Sequence, residues 1–397
     1  MGMWRRLTVR GRVFLLGGAA LSLLAAGFAQ RELLGITLFF VLAPLVALLL
    51  GLRTGAALTC ARDVTPARTP RGTPTTGRLT VSMNSRFVPS LFRFEDVVPP
   101  ELGARPRFDS HRVFGRWRRT VTYPLPASRR GVFQTGPLLV RRTDALGLTR
   151  VDTAFSATSE VLVTPRIEQL RPSALGLGSG RTGEQTPLAI GTTGQDDVLV
   201  REHRQGDDLR RVHWRTTARH GELMVRREEQ SFDPGVTILF DTRSKAWVGD
   251  EEFEWAVSAV TSAAVDFVRR GFTVTIVDAD AVPIRPSHAD PVLNEEDIVL
   301  AMTRLQRNPV SSLGDAVSQI SGEQASQTLV VVLGIVGIAD AVLLVSTLRA
   351  GTRPRVLVAG GLAEDAAAVL DEKRWIVHRA TPRESVREAF ESLGDLR

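Results

Sequence analysis

Residues 236–277 read VTILFDTRSKAWVGDEEFEWAVSAVTSAAVDFVRRGFTVTIV. Residues 236–240 form a short apolar run that stops at Asp241. In residues 252–270, Phe253, Ala256, Val257, Val260, Ala264, Phe267 and Val268 recur every three or four positions, the spacing of one helix face. Residues 272–277 return to a strand-like run. The same alternation continues to the C-terminus. It predicts helices at 295–307, 339–348, 364–370 and 384–393, with strands at 329–336, 355–359 and 375–377. Strands that alternate with helices build a parallel or mostly parallel sheet covered on both faces. The run at 329–336 is wholly apolar but too short to cross a bilayer, so it is expected as a central strand.

Upstream the pattern differs. Strand-like runs recur at 78–83, 91–97, 118–123, 138–142 and 161–164, separated by turn signals such as Pro99-Pro100 and Gly136-Pro137. Short strands with regular turns predict a β-sandwich-like domain over residues 56–165. Residues 171–195 are rich in Gly, Ser and Thr, with Gly176, Gly178, Gly180, Gly183, Gly191 and Gly194. No strand leads into them and no Lys-Ser/Thr pair closes them, so they read as a flexible excursion and not a phosphate cradle. The expected organisation is residues 1–55, 56–165, 166–235 and 236–397, with an α/β domain last. A chain of 397 residues is long enough for several cores.

Residues 1–55 carry two uncharged apolar runs, 13–29 and 33–52, separated only by Gln30, Arg31 and Glu32. The second is about as long as the ~20 residues that span a bilayer. Gly and Ala in the first suit close helix packing in lipid. Pro44 would kink the second, which membrane helices tolerate. Arg5, Arg6, Arg10 and Arg12 precede the pair, and Arg53 and Arg62 follow it. Positive flanks at both ends predict a two-span transmembrane hairpin in a bacterial inner membrane, with the bulk of the chain cytoplasmic. The rival is a cleaved signal peptide ending at Gly27 and Ala29, which would leave the second span as an anchor.

Cys60 is the only cysteine, so a disulfide within one chain and a Cys-based zinc site are both excluded. The net charge is +7. Arginines concentrate between Arg105 and Arg119, including Arg116 and Arg118. Anionic lipid explains them at least as well as nucleic acid does, and a solvated face as well as both.

The densest chemistry lies in residues 200–230. Gly206-Asp207-Asp208 reads as a turn into a helix, with an Asp capping its free N–H groups. The helix would run from 209 to 219 and stop at Gly221, before a strand at 223–227. Arg211 and Arg215 share one face, as do Trp214 and Ala218. Five pieces recur in order: Arg201-Glu202, Gly206-Asp207-Asp208, Arg211-Val212-His213-Trp214, Ala218-Arg219 and Leu223-Met224-Val225-Arg226. This ordered set resembles the domain-of-unknown-function family 58. His203 stands where that family commonly has Tyr. The resemblance also covers the architecture, in which such a segment precedes a von Willebrand factor A-like domain. It implies a membrane-anchored interaction protein, partnered by a MoxR-type AAA+ ATPase, in which Arg201 to Arg226 is a partner-recognition or structural motif. It implies no cofactor.

Three catalytic chemistries come into question for these residues. Von Willebrand A-like domains often hold Mg²⁺ through Asp-x-Ser-x-Ser after their first strand, and this chain has Asp241-Thr242-Arg243-Ser244-Lys245. Arg243 and Lys245 take the two Ser positions and would repel a third cation. The next strand end, where another Asp is wanted, offers Gly334. The site therefore reads as degenerate at Asp241 and Ser244, with Asp241 making local hydrogen bonds or pairing with an Arg. A hydrolase using His213 with Asp207 or Asp208 is the alternative function, but no Gly-x-Ser-x-Gly elbow accompanies it. The adjacent pairs Asp207-Asp208 and Glu228-Glu229 point in different directions and make no acid/base dyad. An Arg-rich lipid- or nucleic-acid-binding protein is the remaining alternative.

Overall fold

The computed structural model describes residues 3–28, 33–54, 58–84, 90–113, 116–171, 200–202, 214–226, 235–286, 292–323, 328–347 and 354–395. The chain divides into two compact units, Met1–Arg166 with Met302–Leu305, and Ile167–Ala301 with Gln306–Arg397.

The first unit begins with helices α1 (Met3–Arg6), α2 (Val9–Gly27) and α3 (Leu33–Thr54). α2 and α3 pack side by side. A Cβ on Gly18 would press on Phe40 and Val41 of α3, and the Phe14 and Phe40 rings stand 4.8 Å apart. The other faces carry Leu16, Leu23, Leu24, Ile36, Leu38, Phe39, Val46 and Leu49, all exposed. Of the described helices α2 alone is long and apolar enough to cross a bilayer; the apolar part of α3, Gly35–Leu50, is shorter. Gly18→Leu is expected to splay the pair. The readout is loss of crosslinking by a short bis-maleimide between cysteines placed at Phe14 and Phe40 in a Cys60→Ser background, expected to be efficient in the parent.

Ten strands follow: β1 (Leu58–Thr65), β2 (Arg68–Pro70), β3 (Thr75–Met83), β4 (Ser90–Asp96), β5 (Arg107–Val113), β6 (Trp117–Leu125), β7 (Gly131–Thr135), β8 (Leu138–Asp144), β9 (Arg150–Phe155) and β10 (Ser159–Thr164). They form three sheets in the orders β1-β3-β6, β2-β10-β7 and β5-β4-β8-β9. All pairs are antiparallel except β2 with β10. β3 shows why they pack: Thr75, Gly77, Leu79, Val81 and Met83 turn inward while the residues between them do not. Leu79, Val81, Phe92, Phe94, Leu125, Leu138, Val140, Val161 and Val163 share one core, drawn from all three sheets.

That core also encloses charge. Arg62 and Asp96 have side chains 1% and 0% exposed and are ion-paired; Tyr123 Oη donates to the same carboxylate. Burial alone would lower the Arg62 pKa, but its hydrogen bond to Asp96 raises it overall. Burial and the Asp96 partner both push the Tyr123 phenol up. Arg62, expected as part of the positive flank of the second span, is thus an interior group of β1 instead. Its position in sequence gave no sign of a partner on β4.

The second unit contains β11 (Val200–Glu202), α4 (Trp214–His220) and β12 (Met224–Arg226), followed by β13 (Gly235–Phe240), α5 (Asp250–Arg269), β14 (Thr273–Val277) and α6 (Glu295–Arg304). After these come α7 (Gly314–Glu323), β15 (Thr328–Val336), α8 (Ile338–Thr347), β16 (Arg355–Leu362), α9 (Glu364–Glu372), β17 (Ile376–Arg379) and α10 (Val386–Asp395). β13 to β17 make one parallel sheet in the order β14-β13-β15-β16-β17. β15 is central, as its unbroken apolar run requires, with Leu329 to Leu333 buried. Residues 314–323 are helical where no helix was expected.

α5 shows how the sequence ends a helix. Asp250, Glu251 and Glu252 fill its first turn, favourable beside the positive end of the dipole. Gly271 follows the last turn at φ +83°. Its N–H bonds Val268 O at 2.9 Å, and Phe272 N–H reaches back to Phe267 O at 3.0 Å. The Phe267 and Phe272 rings then meet at 5.7 Å, the apolar contact that accompanies this C-cap. Most of α5 is buried, including Phe253, Trp255, Val257, Val260 and Phe267.

Candidate functional site

In an open parallel sheet, groups that act gather outside the carboxyl ends of the strands, where neighbouring connections leave in opposite directions. Here that point lies between β13 and β15. The chain leaves β13 for β14 on one side, then returns past β13 to β15 on the other.

The residues at this edge come from three places. Asp241, Thr242 and Arg243 end β13, Gly334 lies near the end of β15, and Asp340 lies in the first turn of α8. Asp241 and Thr242 are wholly buried. The Arg243 guanidinium lies between two carboxylates. Its Nε and Nη2 donate to Asp241 at 2.9 Å each, and its Nη1 and Nη2 donate to Asp340 at 2.8 and 3.0 Å. The Arg243 backbone N–H also bonds Asp241 Oδ1 at 3.1 Å. Burial alone would lower the guanidinium's pKa; the hydrogen bonds it donates to Asp241 and Asp340 more than offset this and hold it above its ordinary value.

The surroundings lock the cluster. Trp247 Nε1 donates to Asp241 O at 2.9 Å, and its ring meets Phe240 and Phe253. Thr242 Oγ1 accepts from Ala279 N–H at 3.2 Å. Ser244 donates through its backbone N–H and its hydroxyl to Asn308 O, each at 2.8 Å. Gly334 serves packing: a Cβ there would collide with the Ala246 carbonyl. Gly334 is buried, so Gly334→Ala is expected to cost about 1–3 kcal/mol by overpacking, checked by chemical denaturation.

A divalent cation, which the fold resemblance implies, does not fit these residues. The oxygens of Asp241 and Asp340 that it would need already face a permanent cation on the same chain. Ser244 Oγ is turned to Asn308. Among the described residues, no three His, Cys, Asp or Glu side chains converge as metal ligands. Asp340, a site residue that sequence reading missed, is 97 positions from its partner. It sits just past the strand end where an Asp had been sought at Gly334.

The motif upstream is described in part. β11 pairs antiparallel with β12, matching Arg201 with Val225. Gly221 follows α4 (Trp214–His220); its φ is +76° and its N–H bonds Thr217 O at 2.9 Å. Thr217 Oγ1 accepts from Met224 N–H at 3.0 Å, tying helix to strand. Trp214 is 71% exposed, and Ala218, Arg219 and Leu223 are exposed too. Arg201, Glu202 and Arg226 lie on the paired strands. Gly206, Asp207, Asp208, Arg211 and His213 lie outside the described residues, as do Glu228, Glu229 and residues 172–195.

The Arg105–Arg119 stretch is locally neutralised at several points. Arg105 and Arg107 approach Glu95 at 3.7 and 3.1 Å, Arg93 pairs with Asp109 at 3.0 Å, and Arg119 donates to Asp109 O at 3.2 Å. Arg93 with Asp109 and Glu95 with Arg107 are cross-strand pairs of β4 and β5.

Residues 199–334 match the family model described as protein of unknown function DUF58. No curated protein matches the chain. Among solved structures, proximal thread matrix protein 1 from the mussel byssus is similar over 41% of this chain, at 14% identity and a TM-score of 0.32. This chain spans about half, 48%, of that protein's length. The CARDB domain of a Pyrococcus furiosus protein, in complex with di-metal ions, is similar over 27% of this chain and 94% of its own, at 11% identity and a TM-score of 0.20.

Proposed function

We propose, from the premise that residues 199–334 form a domain of the family described as protein of unknown function DUF58, that the chain is a membrane-anchored interaction or scaffold protein and not an enzyme. The observation that carries this reading is Arg243 between Asp241 and Asp340. The edge of the sheet where an α/β domain would place a metal or a reacting group is occupied by the chain's own guanidinium, held between two carboxylates. What such a domain still offers is surface. Trp214 projects from α4 within the family motif, and exposed Trp is a frequent energetic anchor at protein interfaces.

The anchor is the α2–α3 pair, read as a two-span hairpin in the inner membrane. From Val13 of α2 and over residues 35–50 of α3 the exposed side chains are apolar, among them the large Leu16, Leu23, Phe39 and Leu49, a surface that lipid accepts and water does not. Arg5 and Arg6 before α2, Arg10 and Arg12 at its start and Arg53 at the end of α3 favour a cytoplasmic side for both ends. The C-terminal unit is read as a degenerate von Willebrand factor A-like domain, supported by its parallel sheet and by the Asp241 strand end. The partner proposed is a MoxR-type AAA+ ATPase; nucleic acid is disfavoured by the paired arginines of β4 and β5.

The test is capture from native membranes of the tagged, detergent-solubilised full chain with nucleotide present. Wild type is compared with Trp214→Ala, Arg211→Ala and His213→Ala. An AAA+ ATPase retained by wild type and lost with folded Trp214→Ala is the expected result. Absence of any ATPase under nucleotide-bound conditions would overturn the partner assignment.

A further inference from the structure

The start of α2 is bound to the β unit by main chain as well as side chain. Leu7 pairs antiparallel with Thr149, and Thr8 N–H donates to Leu148 O at 2.9 Å. Thr8 Oγ1 donates to Gly147 O at 2.6 Å and accepts from Gly11 N–H at 3.1 Å, so one hydroxyl both caps α2 and docks it. Gly11 lies so close that a Cβ would collide with the Leu148 carbonyl.

The partner in this contact is the turn between β8 and β9, itself held stiffly. Asp144 accepts from Leu146 N–H at 3.1 Å and from the Thr149 N–H and hydroxyl. Gly147 takes φ +71°. Leu7, Leu148 and Thr149 are buried at 6%, 1% and 3%, yet Leu146 at the tip is 58% exposed. On the other side, Trp4 of α1 is 49% exposed and the Arg12 guanidinium lies over its ring at 5.7 Å.

Position along the helix settles the environment of this cluster. The uncharged run of α2 begins at Val13, two residues past Gly11, or about 3 Å along the axis. The headgroup layer on each side of the hydrocarbon is roughly 5–8 Å thick. A turn fastened at residues 7–11 therefore lies in that layer. The local charge suits it: Arg5, Arg6, Arg10 and Arg12 stand here, and neither α1 nor α2 has an acid in its first turn. Trp is a residue type that settles at this depth.

We infer that α1 and the β8–β9 turn form a second membrane contact, with Leu146 and Trp4 seated among anionic lipid headgroups. The β unit is then held to the bilayer surface at a fixed attitude and does not hang from a free tether. This rests on the membrane-anchor reading, and its test separates the two.

The full chain with Cys60→Ser receives a single cysteine by Leu146→Cys, Leu16→Cys or Leu139→Cys, each labelled with an environment-sensitive dye. Leu139 lies at the far end of β8, roughly 20 Å from the turn. The proteins are placed in vesicles of phosphatidylcholine with phosphatidylglycerol, carrying quenchers at the headgroup or at a shallow acyl carbon. Expected is strong headgroup quenching at 146, acyl quenching at 16 and severalfold less of either at 139. The signal at 146 should fall when Arg5, Arg6 and Arg10 are changed to Gln. Quenching at 16 without quenching at 146 would overturn the second contact and leave the anchor standing. No quenching at 16 would remove the anchor itself, and the inference with it.

Discussion

Arg243→Ala is expected to destabilise the C-terminal unit by about 3–5 kcal/mol, because it strands two carboxylates at an edge where water barely reaches. Asp241 is 0% exposed and would lose its only described cationic partner, keeping only local N–H donors. Asp340→Ala should cost less, since about a fifth of that side chain, 19%, reaches solvent and Asp241 still pairs with Arg243. The coupling has a signature: Arg243→Met combined with Asp241→Asn and Asp340→Asn should recover much of the loss, as buried ion clusters replaced whole often do. Calorimetry on the full chain in detergent reads this as a transition shifted down by roughly 6–20 °C in the single variant. A single variant as stable as wild type would mean that the cluster is ornamental.

The second large effect is expected from Asp96→Ala in the β unit. Arg62 and Asp96 are almost wholly enclosed, and the Tyr123 hydroxyl donates to the same carboxylate. Alanine leaves a buried guanidinium without its counter-charge and a buried phenol without its acceptor, a loss of about 3–5 kcal/mol. Asp96→Asn keeps an acceptor and should lose less. Urea denaturation can rank the three when Trp117 is the sole fluorophore, the other five tryptophans being changed to Phe, because its ring lies against Phe92 and Phe94 in this core. Equal stability of wild type and Asp96→Ala would show that Arg62 finds water or another partner.

The alternation of strand and helix was legible because burial writes itself into period. β13, β14, β15 and α5 were placed within a residue or two by their apolar runs and by the spacing from Phe253 to Val268. β1, β2, β5, β7, β9 and β11 were not read. β9, Arg150–Phe155, is an edge strand that alternates only between exposed and half-buried positions, so it has no buried apolar face to betray it. α7, GDAVSQISGE, opens with Gly and is half polar, and its few buried residues come from packing that local sequence does not announce.

The candidate site was half legible. Asp241, Arg243 and Ser244 are contiguous, so their chemistry could be weighed in place. Asp340 could not, because an ion pair spanning two strand ends is a property of the sheet order. Arg62 misled for the same reason: it reads as a membrane flank in sequence and is enclosed by Asp96 and Tyr123 in the fold.

The most direct test of the account is divalent-cation binding at the edge of the parallel sheet. The purified full chain is titrated with Mn²⁺ and heated with Mn²⁺ or a chelator, wild type beside Arg243→Ser. Wild type should bind no Mn²⁺ at this edge and should unfold at the same temperature in either solution. Arg243→Ser, which frees Asp241 and Asp340, should gain saturable binding and be stabilised by the ion. A wild-type chain that binds one Mn²⁺, is stabilised by it, and loses both properties on Asp241→Asn would contradict the central claim that Arg243 supplies the cation itself.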